Sequence, residues 1–90
     1  MSQSTKEIDI FTLKQRLDDF ISKLLDCWWF PRSLSIEIYS IKRVILGYSV
    51  EGEYRCINTD TRATIWKGRF VVTVEPESYN IIEFERKEQS

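Results

Sequence analysis

The sequence predicts an α+β fold, in which one N-terminal helix packs on a curved four-stranded antiparallel meander in the order α-β-β-β-β. Three observations support this prediction. Apolar residues recur at three- and four-residue steps before Pro31, alternating segments follow it, and two long central segments fit each other as a hairpin. One amphipathic helix is then available to cover the apolar face of one sheet.

The helix is predicted to begin at Asp9, whose carboxylate can accept hydrogen bonds from backbone N–H groups of the first turn. It is expected to end before Pro31, because the residue preceding a proline is disfavoured in the α region. Ser22 is assigned to the hydrated face. The apolar stripe that would face the sheet consists of Ile10, Leu13, Leu17, Phe20, Ile21, Leu24, Leu25 and Trp28.

Four strands are predicted from the alternation of apolar and polar residues. They are Leu34–Ser40, Val44–Ile57, Ala63–Glu75 and Ile81–Arg86. Turns are expected near Lys42–Arg43, at Asn58–Thr61 and at Pro76–Asn80, where polar, turn-forming residues or proline interrupt the alternation.

The central hairpin suggests its own register. When Tyr54 is set opposite Trp66, Gly52 faces Gly68 and oppositely charged side chains pair on the other face. Glycine weakens a strand, so a bend is expected at this glycine row. The outer strands are too short to extend past the row, so the distal arm Glu53–Trp66 is expected to have no neighbouring strand.

In element order and strand length, the segment from Asp9 to Arg86 resembles the cystatin-like α+β roll, in which a long helix lies in a curved antiparallel sheet. The resemblance implies a fold and no activity. Protease-inhibiting cystatins carry a Gln-Val-Val-Ala-Gly-type hairpin loop, and this sequence has no such segment. Relatives with pocket-forming extra helices are longer than this chain.

The composition, 42% hydrophobic and 30% charged over 90 residues, indicates one globular domain. Residues 1–8 are expected to form a flexible lead, residues 9–86 the α+β domain and residues 87–90 a polar tail. Cys27 and Cys56 lack metal-ligand spacing and no secretory leader pattern is visible, so a cytoplasmic protein with two free thiols is expected. A disulfide would require both cysteines at one end of the fold, and the sequence leaves their redox state open.

Residue chemistry argues against catalysis. The chain has no histidine, its two cysteines have no visible activating partner, and its strand glutamates alternate onto the outer face of the sheet. We therefore expect that the protein is not an enzyme and that it has neither a cofactor nor a metal site. No apolar run approaches the ~20 residues of a membrane span, and a net charge of −1 with interleaved glutamates argues against single-stranded nucleic acid as a partner.

The aromatic residues carry the functional hypothesis, because Trp, Tyr and Arg dominate the energetics of protein interfaces. The sequence predicts a non-catalytic protein–protein interaction module whose partner is itself, as a homodimer. The alternatives are a roll that binds a small hydrophobic ligand, and a purely structural role in which Tyr54, Trp66 and Trp28 close the end of the core. The residues assigned to the interface are Trp28, Trp29, Phe30, Tyr54, Arg55, Trp66 and Arg69.

Overall fold

The fold is one helix followed by a four-stranded antiparallel sheet whose strands lie in chain order, which confirms the predicted α+β class. The computed structural model describes residues 8–87. The predicted lead and tail fall largely at positions 1–7 and 88–90, outside the described residues; Ile8 packs against the core and Lys87 ends the last strand. The elements are α1 (Ile10–Leu24), β1 (Arg32–Val44), β2 (Gly47–Asn58), β3 (Thr64–Val74) and β4 (Ile81–Lys87).

The helix begins as predicted and ends earlier than predicted. The carboxylate of Asp9 accepts a hydrogen bond from the Thr12 N–H. At the other end Asp26 adopts a φ of 59°, and the Cys27 N–H donates to the Ser22 carbonyl at 2.7 Å. This is the bonding pattern of a Schellman C-cap, which stops the helix although the apolar periodicity continues. The prediction that Trp28 lies on the helix is therefore wrong.

The core lies between one face of α1 and the inner face of the sheet. Leu13, Leu17 and Ile21 are fully buried on the helix, and they are joined by Ser22, which the sequence assigned to the hydrated face. Phe84 of β4 lies 5.2 Å from Phe20 of the helix, measured between ring centroids. The buried strand residues of this core are Ile36, Val50, Tyr54, Phe70, Val72 and Val74.

The first hairpin differs most from its prediction. Val44 pairs with Gly47, so the tight turn lies at Ile45–Leu46 and the predicted turn near Lys42–Arg43 is wrong. Gly47 closes this turn with a φ of 151°, a conformation that favours glycine. As a result β1 runs for 13 residues and follows β2 to its end, where Arg32 pairs with Asn58. The prediction that the distal arm has no neighbouring strand is therefore also wrong.

The second hairpin is shifted by two residues from its predicted register, which preserves the faces of both strands. Gly52 lies opposite Phe70 and Gly68 opposite Tyr54, so the predicted glycine row does not form. Each glycine lies under the opposing ring. A methyl group at Gly68 would lie 2.6 Å from the Tyr54 hydroxyl oxygen, and one at Gly52 would clash with the Glu37 carbonyl oxygen of β1 and lie 2.9 Å from the Phe70 ring. Aromatic rings covering glycines stabilise a sheet better than two facing glycines would.

In the third hairpin Val72 pairs with Phe84, as a short turn between two alternating strands predicts. A bulge between Thr73 and Val74 then turns Ile82 outward. In the connecting turn Tyr79 is buried, and its hydroxyl accepts a hydrogen bond from the Asp9 N–H at 3.0 Å. This bond fastens the β3–β4 turn to the start of the helix.

A disulfide joins Cys27, just after the helix, to Cys56 of β2. The expectation of two free thiols is therefore wrong, although both residues are buried as expected of core cysteines. The condition for a disulfide is met because the early helix end and the long β1 bring the helix exit beside the distal part of β2.

Candidate interaction surface

Four large aromatic residues are exposed at one end of the molecule, which we call the aromatic end. Trp28, Trp29 and Phe30 lie in the segment between α1 and β1, and Trp66 lies on β3 opposite Cys56. Their exposed fractions are 63%, 40%, 78% and 41%. Exposed aromatic clusters of this kind on otherwise polar surfaces mark interaction sites.

Arg32 holds two of these rings together. Its guanidinium lies 4.3 Å from the centroid of the Trp29 ring and 5.4 Å from that of Trp66. The same group donates to the Asp26 carbonyl at 3.0 Å and lies 4.0 Å from an Asp26 carboxylate oxygen, while the Trp29 indole N–H donates to the other carboxylate oxygen at 3.2 Å. Arg32 thus stacks between two indoles with its charge already paired.

The backbone beneath the aromatic end is braced at several points. The Cys27–Cys56 disulfide ties the helix exit to β2. The carbonyl of Pro31 accepts bonds from the N–H and the hydroxyl of Thr59, at 2.7 and 2.9 Å. Asn58 in turn accepts from two N–H groups of the β2–β3 turn, which confirms the predicted turn there. The exposed rings therefore project from a fixed frame.

The structure brings together only four of the seven residues that the sequence assigned to the interface. Tyr54 is 4% exposed and belongs to the core, where its ring covers Gly68. Arg55 and Arg69 lie on the outer face of the sheet, away from the helix. The sequence could not separate Tyr54 from Trp66, because alternation gives the face of a residue and not its height along the sheet.

The outer face carries a small polar cluster. The hydroxyl of Tyr39, the extra residue of a bulge in β1, donates to the Glu53 carboxylate, and the Arg69 guanidinium lies 5.3 Å from the Tyr39 ring centroid. The Tyr39 bond lowers the pKa of Glu53 below its ordinary value, with smaller contributions from Lys67 and Arg55. The pKa of the Tyr39 hydroxyl is raised, mainly by its bond to Glu53.

A second apolar surface, which the sequence did not suggest, lies at the β1–β2 turn. We call it the hairpin tip. Ile45 is fully exposed, at 102% of its reference area. The sequence does contain Ile-Leu-Gly between two alternating segments, but its apolar character predicts the continuation of a strand there. The exposed apolar residues of the tip are Val44, Ile45, Leu46 and, beside them on β4, Ile82.

Open grooves flank the helix. One of them, of about 630 Å³, lies against Phe20, Leu24 and Tyr79. Among residues 8–87, no three histidine, cysteine or acidic side chains converge as metal ligands. The helix that these residues form is not long and apolar enough to cross a membrane.

Comparison with known proteins adds no functional information: no family model, no curated protein and no solved structure matches this chain.

Proposed function

We propose that this protein is a non-catalytic protein–protein interaction module that self-associates, with the aromatic end as its contact surface. One observation carries the proposal: Trp28, Trp29, Phe30 and Trp66 are exposed together on a backbone fixed by a disulfide and by hydrogen bonds. A fixed frame loses little conformational entropy on binding, which favours affinity.

The size of the aromatic end suits the centre of an interface. Four aromatic side chains can bury about 600–1000 Å² in total, and roughly half of that is already covered within the monomer. The remaining ~300–500 Å² is less than the ~800 Å² that each partner contributes to a standard interface. Neighbouring polar residues would therefore supply the rim around an aromatic centre.

The alternative of a small hydrophobic ligand has less support. The space between helix and sheet is filled by Leu13, Leu17 and Ile21 against Val50 and Phe70, all fully buried. A ligand would be restricted to the open grooves beside the helix, whereas ligand sites usually enclose most of the molecule they bind. Binding of a hydrophobic dye without self-association would favour this alternative.

Nucleic acid also has less support, because the cations of the outer face lie next to carboxylates. Arg55 and Lys67 face each other across β2 and β3, and Glu53 and Glu51 follow on β2. A phosphate backbone would meet both signs of charge within this patch.

The disulfide bears on the cellular compartment in which such a module acts. Structural disulfides are typical of oxidising compartments and rare in the cytosol. The expected cytoplasmic location depended on free thiols, so the Cys27–Cys56 bridge favours an oxidising compartment as its place of action.

The test is the oligomeric state of the full chain, measured by sedimentation velocity from low to high micromolar concentration. Phe30→Ala should weaken association about tenfold, the effect of truncating one interface anchor by about 1.4 kcal/mol. Phe11→Ala is the matched control, because Phe11 is 71% exposed on the helix and belongs to no apolar cluster described above. We expect Phe11→Ala to associate as the wild type does.

A wild-type chain that stays monomeric throughout this range would contradict self-association. If Phe30→Ala and Phe11→Ala change the strength of association equally, the aromatic end is not the contact surface. Thermal melts of both variants, recorded below the association range, show whether either substitution acts through the monomer fold.

A further inference from the structure

The hairpin tip departs from ordinary turn chemistry. Tight hairpin turns favour Gly, Asn, Asp and Pro, because these residues suit turn dihedrals or satisfy turn backbone groups. Here the two turn residues are Ile45 and Leu46, both exposed, with Val44 and Ile82 beside them. Local rules that a sequence breaks without a structural gain commonly indicate functional positions.

The tip and the aromatic end lie at opposite ends of one strand pair. β2 runs from Gly47 at the tip to Asn58 at the aromatic end, and its 12 residues span roughly 40 Å at about 3.4 Å per residue. The molecule is correspondingly elongated, with a longest dimension of 50 Å against 25 and 18 Å. Two copies that meet end to end therefore use one surface of each copy.

The charges near the two surfaces differ in sign. Three cations lie on the distal hairpin, with Asp60 as the acid of its turn: Arg55 and Lys67 are on the outer face, and Arg62 is in the connection between β2 and β3. At the tip, a groove is lined by Leu46, Pro76 and Ile82 together with Glu75 and Glu77.

Lys42 and Arg43 lie on the other side of the tip, at the end of β1. The carboxylate of Glu75 accepts bonds from Ser78 and Asn80 and remains exposed. The acidic side of the tip is thus the side that carries the groove.

We infer that the chain associates head to tail: the aromatic end of one copy receives the hairpin tip of the next, with Glu75 and Glu77 directed toward the cations of the distal hairpin. The inference rests on the proposed self-association and names the surface that the aromatic end recognises. Such a contact is heterologous, because two different surfaces meet, and it produces open chains of copies unless the rotation closes a ring.

Two variants test this pairing. The end variant, Trp28→Ser with Phe30→Ser, removes the two most exposed rings of the aromatic end. The tip variant, Ile45→Ser with Leu46→Asn, removes the apolar turn and introduces residues that turns accept. Each variant keeps the opposite surface intact, so a mixture can form one contact: the tip of the end variant against the aromatic end of the tip variant.

The expected result in sedimentation velocity is a wild type that grows beyond a dimer with concentration, two variants that are each monomeric, and a mixture that forms a one-to-one complex. Added salt should weaken the mixed complex severalfold, since complementary charges are screened. Phe11→Ser added to either variant is the control and should change nothing.

Three results would overturn the inference. If the tip variant associates as strongly as the wild type while the end variant does not, aromatic ends meet each other; the proposed function then stands and the head-to-tail pairing fails. If the mixture of two monomeric variants stays monomeric, the two surfaces do not recognise each other. If the wild type itself is monomeric, both the pairing and the proposed self-association fail.

Discussion

Replacing Cys27 and Cys56 together with alanine is expected to remove a large fraction of the free energy of unfolding. The bridge connects the helix exit to the distal part of β2, across a sequence separation of 29 residues. A cross-link of this kind restricts the unfolded chain, so its loss gives the unfolded state back its conformational freedom.

The magnitude follows from the length of the closed segment. The chain-entropy relation gives a loss of about 3.6 kcal/mol at room temperature for a segment of this size. Small domains unfold with about 5–15 kcal/mol in total. The variant should therefore remain folded in the cold and melt far below the wild type.

Denaturant unfolding followed by tryptophan fluorescence measures this loss directly, and the single variants make the test specific. If the cysteines are bridged, Cys27→Ala already breaks the bridge, and adding Cys56→Ala contributes little more. A thiol reductant should lower the stability of the wild type by a similar amount and leave the double variant unchanged. Small, additive losses for the two single variants, with no effect of reductant, would refute the reasoning.

Further predictions concern the outer face, the register and the helix start. Tyr39→Phe removes the hydrogen bond that lowers the pKa of Glu53. The wild type should therefore have a higher free energy of unfolding than the variant above the unfolded-state pKa of this carboxyl, and the difference should disappear as pH falls through the folded-state pKa. Denaturant unfolding curves recorded at a series of pH values test the direction of this effect. Gly68→Ala forces the Tyr54 ring aside and should destabilise the fold by about 1–3 kcal/mol, whereas adding Tyr54→Leu should recover part of the loss. Asp9→Ala removes the helix cap and should lower the free energy of unfolding by about 1 kcal/mol in denaturant titrations.

The element types, and the faces of β2 and β3, were predictable from local signals. Asp9 starts the helix because its carboxylate caps the first turn, and the Val72–Phe84 pair follows from the short connection between two alternating strands. The faces of β2 and β3 were predicted correctly although their register was wrong, because a shift of two residues leaves every side chain on the same side of the sheet.

The remaining differences arise from tertiary contacts that local patterns do not contain. The glycines align with rings rather than with each other because Phe70 and Tyr54 fill the space above them, and nothing near Gly52 or Gly68 in sequence says so. The sequence places the first turn too early, near Lys42–Arg43, because these polar residues resemble a turn more closely than Ile45–Leu46 does.

The candidate site was only partly predictable, because some of its contacts are likewise tertiary. The cluster Trp28, Trp29 and Phe30 is visible in the sequence, and Trp66 lies at the same end of the molecule on β3. The stacking of Arg32 between Trp29 and Trp66 depends on the full length of β1. That length depends on a turn which sequence patterns placed too early.

Residue-resolved hydroxyl-radical footprinting of the wild-type chain at low and high concentration is the most direct test of the aromatic end as the contact surface. The proposal predicts that Trp28, Phe30 and Trp66 lose reactivity as concentration rises. Phe11 and Tyr39, which are also exposed but lie outside the aromatic end, should keep theirs. Unchanged reactivity of the first three residues in a sample that sedimentation shows to be associated would contradict the proposal.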